Sequence, residues 1–166
     1  DMPSYGGVIV TGDERLMGLS AGQLAGQIIR DERNGEARVI ILDYPELPSL
    51  VARADAIEDG ILELAPNAVI VGRYRGGTLE AGQESVQTLL DQGVAFDVIA
   101  SINDAGAFGA IEALDAAGVD PASVVITSID AEALAQEYIA EGHFMRGSVN
   151  VQRERFSKTV IDAAVR

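Results

Sequence analysis

Short runs rich in Val and Ile recur along the chain at about 7–11, 38–43, 68–72, 97–102, 123–129 and 147–151, with segments of helical period between them. Apolar runs of this length, too continuous for a half-exposed strand, are what a parallel sheet buried on both faces demands. The intervening stripes fall at helical spacing: Met17, Ala21, Leu24 and Ile28; Leu50, Ala54, Ile57, Ile61 and Leu64; Val86, Leu89 and Leu90; Phe108, Ile111 and Leu114; Leu134, Tyr138 and Ile139. Strand, crossover helix, strand is the arrangement implied, so the expected fold is α/β, a doubly wound and mostly parallel sheet with helices on both faces. Pro45 and Pro48 stand before the second helix, Asn34-Gly35 and Gly118 follow helices, and Asp104 is expected to be an N-cap carboxylate. Residues 152–166 read as one more helix.

The composition narrows the function. With 166 residues, 48% of them apolar, the chain has enough material for one domain with a core. Twelve Lys and Arg against 26 Asp and Glu leave a net charge of −14, which repels nucleic acid and anionic lipid. No run approaches the roughly 18 apolar residues of a membrane span, so direct membrane insertion is not expected. The chain has no Cys and a single His, which excludes thiolate zinc sites, thiol nucleophiles and multi-histidine metal centres. No metal, cofactor or catalytic residue is therefore assigned. Charge is uneven: residues 146–166 carry +3 and the remainder −17.

In open parallel sheets, ligands sit beyond the carboxyl ends of the strands, where loops diverge and helix N-termini converge. Applied here, that rule selects Asp13; Asp43 and Tyr44; Arg73, Tyr74 and Arg75; Asn103 and Asp104; Asp130; and Asn150. Carboxylates, amides, guanidinium and phenol without His or Cys suit hydrogen bonding to a neutral polyhydroxyl ligand better than proton shuttling. The same residues could instead simply cap helices and close turns. Other motifs are weaker. Gly18-Leu19-Ser20-Ala21-Gly22 fits a nucleophile elbow, with Asp130 and His143 following in triad order, and a serine hydrolase is the enzyme alternative. An elbow needs its Ser on a turn directly after a strand, whereas Ser20 falls within a helical stripe; Gly18, Gly22 and Gly26 read better as a smooth packing face. His143, between Gly142 and Phe144, reads as a solvated turn residue. The glycines between 72 and 82 form neither a dinucleotide fingerprint nor a phosphate loop.

Three segments together resemble the type I periplasmic binding protein fold, shared by sugar receptors of transport systems and the effector domains of lactose-repressor-type regulators. They are SINDAGAFGAIEALDAAG (101–118), VVITSIDAEALAQEYIAEGHF (124–144) and VTGDERLMGLSAGQLAG (10–26). The resemblance implies one lobe of a bilobal receptor. Residues 1–6 would end the first lobe, 7–145 form the second, and 146–166 return to a first-lobe helix, the chain being a fragment. It implies that Asn103 and Asp130 bind sugar hydroxyls, that Asp1 resembles an acidic contact at the close of the first lobe, and that Asn150 stands near a polar contact of the returning crossover. The family's helix Arg has no direct match, its position holding Ile57; Arg53, one turn earlier, could reach the cleft. Tyr74 lies a few residues before the expected stacking aromatic, whose place holds Gly77. Asp13 completes the candidate ligand-binding set. The implied function is binding of a small polar solute, a sugar, in transport or sensing, with a membrane permease or signalling partner and an extracytoplasmic setting. A cytoplasmic transcription regulator is the alternative.

Overall fold

The computed structural model describes residues 12–152. The expected strand at 7–11, the helix at 153–166 and Asp1 lie outside the described residues. Within them five strands alternate with five helices: α1 (Glu14–Glu32), β1 (Arg38–Asp43), α2 (Pro48–Leu64), β2 (Val69–Arg75), α3 (Leu79–Asp91), β3 (Val98–Ser101), α4 (Asp104–Ala116), β4 (Val125–Ile129), α5 (Ala133–Glu141) and β5 (Met145–Val149).

All neighbouring strands run parallel, in the order β2-β1-β3-β4-β5. Because β1 is followed on one side by β2 and on the other by β3, the chain reverses its winding between β1 and β3. Side-chain alternation along the strands then builds two cores. Val39 and Ile41 of β1, Val98 and Ala100 of β3, and Val125 and Ile129 of β4 face α1 and α2. Ile40, Leu42, Ile99 and Ile126 face α3, α4 and α5. The doubly wound reading is thus the observed architecture.

The glycine face of α1 lies directly on α2. A Cβ at Gly22 would run into the backbone carbonyl of Ile57, so only glycine lets the two helices approach this closely. Ser20 sits inside the same helix and donates its hydroxyl to the Leu16 carbonyl at 2.8 Å, one turn back. No strand-to-helix elbow is formed there.

Several boundaries differ from expectation. β2 continues to Arg75, because its pairing with β1 runs the full length from Arg38↔Val69 to Asp43↔Arg75. Arg73, Tyr74 and Arg75 therefore belong to a strand rather than to the loop after it, which an edge position with one solvated flank tolerates. β5 begins at Met145, two residues early, because Phe144 and Met145 are buried in the second core. Residues 146–149, expected to return to the first lobe, thus remain in this sheet, paired to β4 through Val149. His143 is half-buried rather than solvated; it packs on Tyr138 and Phe144, with Nε2 2.9 Å from Asp115.

Candidate functional site

Helices antiparallel to the strands bring their N-termini to the carboxyl edge of the sheet. Asn103, immediately beyond β3, is the N-cap of α4: its Oδ1 accepts from the Gly106 N–H at 3.0 Å, and its Nδ2 donates to the Gly77 carbonyl at 2.9 Å. One amide N–H and one lone pair of its oxygen remain for another partner. The capping role expected of Asp104 therefore belongs to its neighbour. Asp104 is fully buried instead, and its carboxylate accepts from the hydroxyls of Ser128 and Ser148 and from the Glu132 N–H at 2.7 Å.

Asp130 directly follows β4, the strand beside β3, so it shares the edge with Asn103. Its φ of 128° and that of Ala131, 53°, are left-handed values at two successive residues that carry side chains. Such backbone costs roughly 1–3 kcal/mol per residue and persists only where its surroundings enforce it, most often at functional sites.

Arg53 projects from the first turns of α2 to the same edge. It is buried, donates from Nη1 to the Ile102 carbonyl at 2.7 Å and from Nε to Glu14 at 2.7 Å, and pairs with Glu14 a second time through Nη2. One N–H on each terminal nitrogen is left over, beside the residue that precedes Asn103. Asp13 caps α1, accepting from the Leu16 N–H at 2.9 Å, and is exposed. Asn150 follows β5 and is exposed; its Oδ1 accepts from the Gln152 N–H at 2.7 Å, closing a turn.

Tyr74 is not part of this group. It lies within β2 on the α3 side, its hydroxyl over Gly72, and lines a groove of about 430 Å³ between β2 and α3 with Arg75, Glu84 and Ser85. That groove lies on the α3 flank of the edge strand β2, whose last two residues line it. The aromatic at the edge is Tyr44, directly after β1: a Cβ on Gly77 would lie 2.6 Å from the Tyr44 ring, and the Gly77 carbonyl is the one held by Asn103. Tyr44 and Asn103 thus flank the reversal between β1 and β3, where ligands bind in sheets of this order. The strand-end rule points to Tyr44; nothing local in the sequence marks Ser128 or Ser148.

Carboxylates dominate the edge. Asp43, almost wholly buried, has its carboxyl pKa raised, chiefly by burial, against the opposing help of the Tyr44 N–H and Arg73. An edge bearing Asp13, Glu14 and Asp130 around one already paired guanidinium suits a neutral polar molecule better than an anion. Among the described residues no cluster of His, Cys, Asp and Glu is arranged to hold a metal ion.

Residues 8–166 match the family model of the periplasmic binding protein domain. The chain belongs to that family. Solved structures share the fold of this periplasmic binding protein domain. A solute-binding protein of an ABC transporter from Actinobacillus succinogenes with bound D-allose aligns over 90% of this chain and 53% of its own, at 21% identity and a TM-score of 0.77. A Mycobacterium smegmatis protein in complex with β-D-fucofuranose aligns over 87% and 48%, at 24% identity and 0.74. The Escherichia coli transcriptional repressor ascG aligns over 92% and 54%, at 22% identity and 0.69. The chain spans about half the length of each. No curated protein matches it.

Proposed function

We propose that this chain is one lobe of a receptor that binds a small neutral polyhydroxylated solute, a sugar, and performs no chemistry on it. The observation carrying this reading is that Asn103 and Asp130 stand at the ends of adjacent strands beside the β1/β3 reversal, on one edge with Arg53 and Tyr44. An amide and a carboxylate there can each take vicinal hydroxyls, and charge-assisted bonds are roughly twice as strong as neutral ones. The Tyr44 ring offers a face for the apolar side of a sugar. Asp13 and Asn150 complete the contacts from this lobe, and Asp1 is proposed to add one from the other side of the cleft. Residues 7–145 and β5 form this second lobe, and the chain beyond is proposed to return to the first. Closure of two lobes would bury the solute and alter the outer surface read by a partner.

The family and the sugar-bound proteins of similar fold support an extracytoplasmic receptor working with a membrane permease or a signalling partner. The ascG repressor, covering 92% of the chain, favours a second reading as the effector domain of a transcription regulator, in which DNA would be bound elsewhere in the protein. Calorimetric titration of the intact protein with D-allose, L-arabinose and D-fucose tests solute binding. The proposal expects saturable one-to-one uptake of at least one sugar and recovery of that sugar unchanged. Conversion of the sugar, or no uptake of any of them, would refute it.

A further inference from the structure

The turn that carries Asp130 is held by a set of bonds that no neighbour in sequence supplies. Its three successive amide N–H groups each have a partner from a different place: Asp130 N–H donates to the Val149 carbonyl at 2.8 Å, Ala131 N–H to the Ser148 hydroxyl oxygen at 2.9 Å, and Glu132 N–H to Asp104 Oδ2 at 2.7 Å. The Ser148 hydroxyl in turn donates a hydrogen bond to Asp104 Oδ1 at 2.7 Å, and Ser128 from β4 donates to the same oxygen. One buried carboxylate, 0% exposed, therefore gathers α4, β4, β5 and the turn into one network.

We propose that Asp104 and Ser148 are positioning residues: they hold Asp130 and Ala131 in their left-handed backbone and thereby set the affinity of the solute site, without touching the solute. This rests on the reading of Asp130 as a solute contact. Values of φ of 128° and 53° are unfavourable for Asp and Ala, so the turn relaxes unless its amides are pinned. A charged acceptor buried with three donors is a strong and directional pin. Ser148 also lies two residues before Asn150, on the strand whose Val149 carbonyl holds the Asp130 amide. The two polar groups at the ends of β4 and β5 are consequently fixed in one frame, and Asp130 meets a solute already oriented.

The test uses the intact protein with D104N, S148A and S148T. An amide at 104 has one acceptor oxygen, so either the Glu132 N–H or the two hydroxyls lose theirs. S148A removes the acceptor of the Ala131 N–H, and S148T retains it. Two readouts are taken: amide hydrogen exchange at residues 130–132 without solute, and calorimetric affinity for D-allose, L-arabinose and D-fucose. The proposal expects slow exchange in the wild type, exchange at Ala131 and Glu132 faster by about tenfold or more in D104N and S148A, affinity lower by a similar factor, and both properties recovered in S148T. A merely structural role would lower the melting temperature while leaving local exchange and affinity of the folded protein unchanged, and that result overturns the proposal. Rapid exchange of these amides in the wild type also overturns it. If the wild type takes up none of the three sugars, the solute reading fails and the affinity claim with it, whereas the exchange data still decide whether the clamp exists.

Discussion

Asn103 carries two loads, and substitution at that one position separates them. Its Oδ1 caps α4 through the Gly106 N–H at 3.0 Å, and its Nδ2 ties the β2–α3 loop through the Gly77 carbonyl at 2.9 Å. A lost side-chain cap costs about 1 kcal/mol, and one net hydrogen bond about the same. Asn103→Ala should therefore destabilise by about 2 kcal/mol, a fall of roughly 4–8 °C in melting temperature for a domain of this size. Asn103→Asp keeps the oxygen that caps the helix but sets a second oxygen against the Gly77 carbonyl, so it should lose the tie alone, about 1 kcal/mol. Asn103→Ser retains a shorter cap and should fall between wild type and Ala. Urea denaturation of each variant at neutral pH measures the series, and calorimetry on the folded variants measures the solute contribution, expected to weaken by about 1–3 kcal/mol in Ala. An Ala variant as stable as wild type would refute the geometry. Ala and Asp variants of equal stability would show that the cap contributes nothing. Lost stability with unchanged affinity would reduce Asn103 to a helix cap.

Three further outcomes follow from packing and burial. Gly22→Ala should destabilise despite the roughly 1 kcal/mol gain in helix propensity, because the new methyl meets the Ile57 backbone, which cannot turn aside as a side chain can; a raised melting temperature would contradict the α1–α2 contact. Asp43→Asn keeps the acceptor for the Tyr44 N–H, 2.6 Å away, and removes a carboxylate whose pKa burial raises. Since the folded-state value lies above the unfolded one, the stability linked to the protonated form is complete below the ordinary value of 3.8 and is lost as pH rises through the folded value. The variant should be more stable than wild type at neutral pH, with the difference closing below that ordinary value; equal stability at both pH values would contradict it. Thr127→Val should be neutral or stabilising by up to about 1 kcal/mol in denaturant melts, because Thr127 Oγ1 is a buried hydroxyl without a hydrogen-bond partner among the described residues; a clear loss would reveal one.

The fold was legible because its signals are local and repeated: continuous Val and Ile runs for strands buried on both faces, single apolar stripes for the helices between, and Pro48 in the first turn of α2. The edge of the sheet was legible for the same reason, since position after a strand is a local property. What was not legible depends on distant partners. Asn103 and Asp104 are both good caps by type, and the choice between them is made by Ser128 and Ser148, 24 and 44 residues further on, which draw the Asp104 carboxylate inward. The left-handed backbone at Asp130 carries no glycine to announce it, because its pins come from β5 and α4. The polar residues on both sides of Tyr74 read as a strand end, whereas an edge strand accepts Arg73 and Arg75 with their carboxylate partners on its exposed flank. Arg53 donates to the carbonyl of Ile102, the residue before Asn103, and its Glu14 partner comes from α1, 39 residues earlier, which only the packing of α1 on α2 brings near.

Solute binding by this lobe requires Asp130 to meet a sugar from the rim it shares with Asn103. Equilibrium titration of the intact protein and its Asp130→Ala variant with whichever of the three sugars the wild type binds tests this directly. Affinity reduced by about 1–3 kcal/mol in a variant that stays folded is the expected result. Identical isotherms for the two proteins would contradict it.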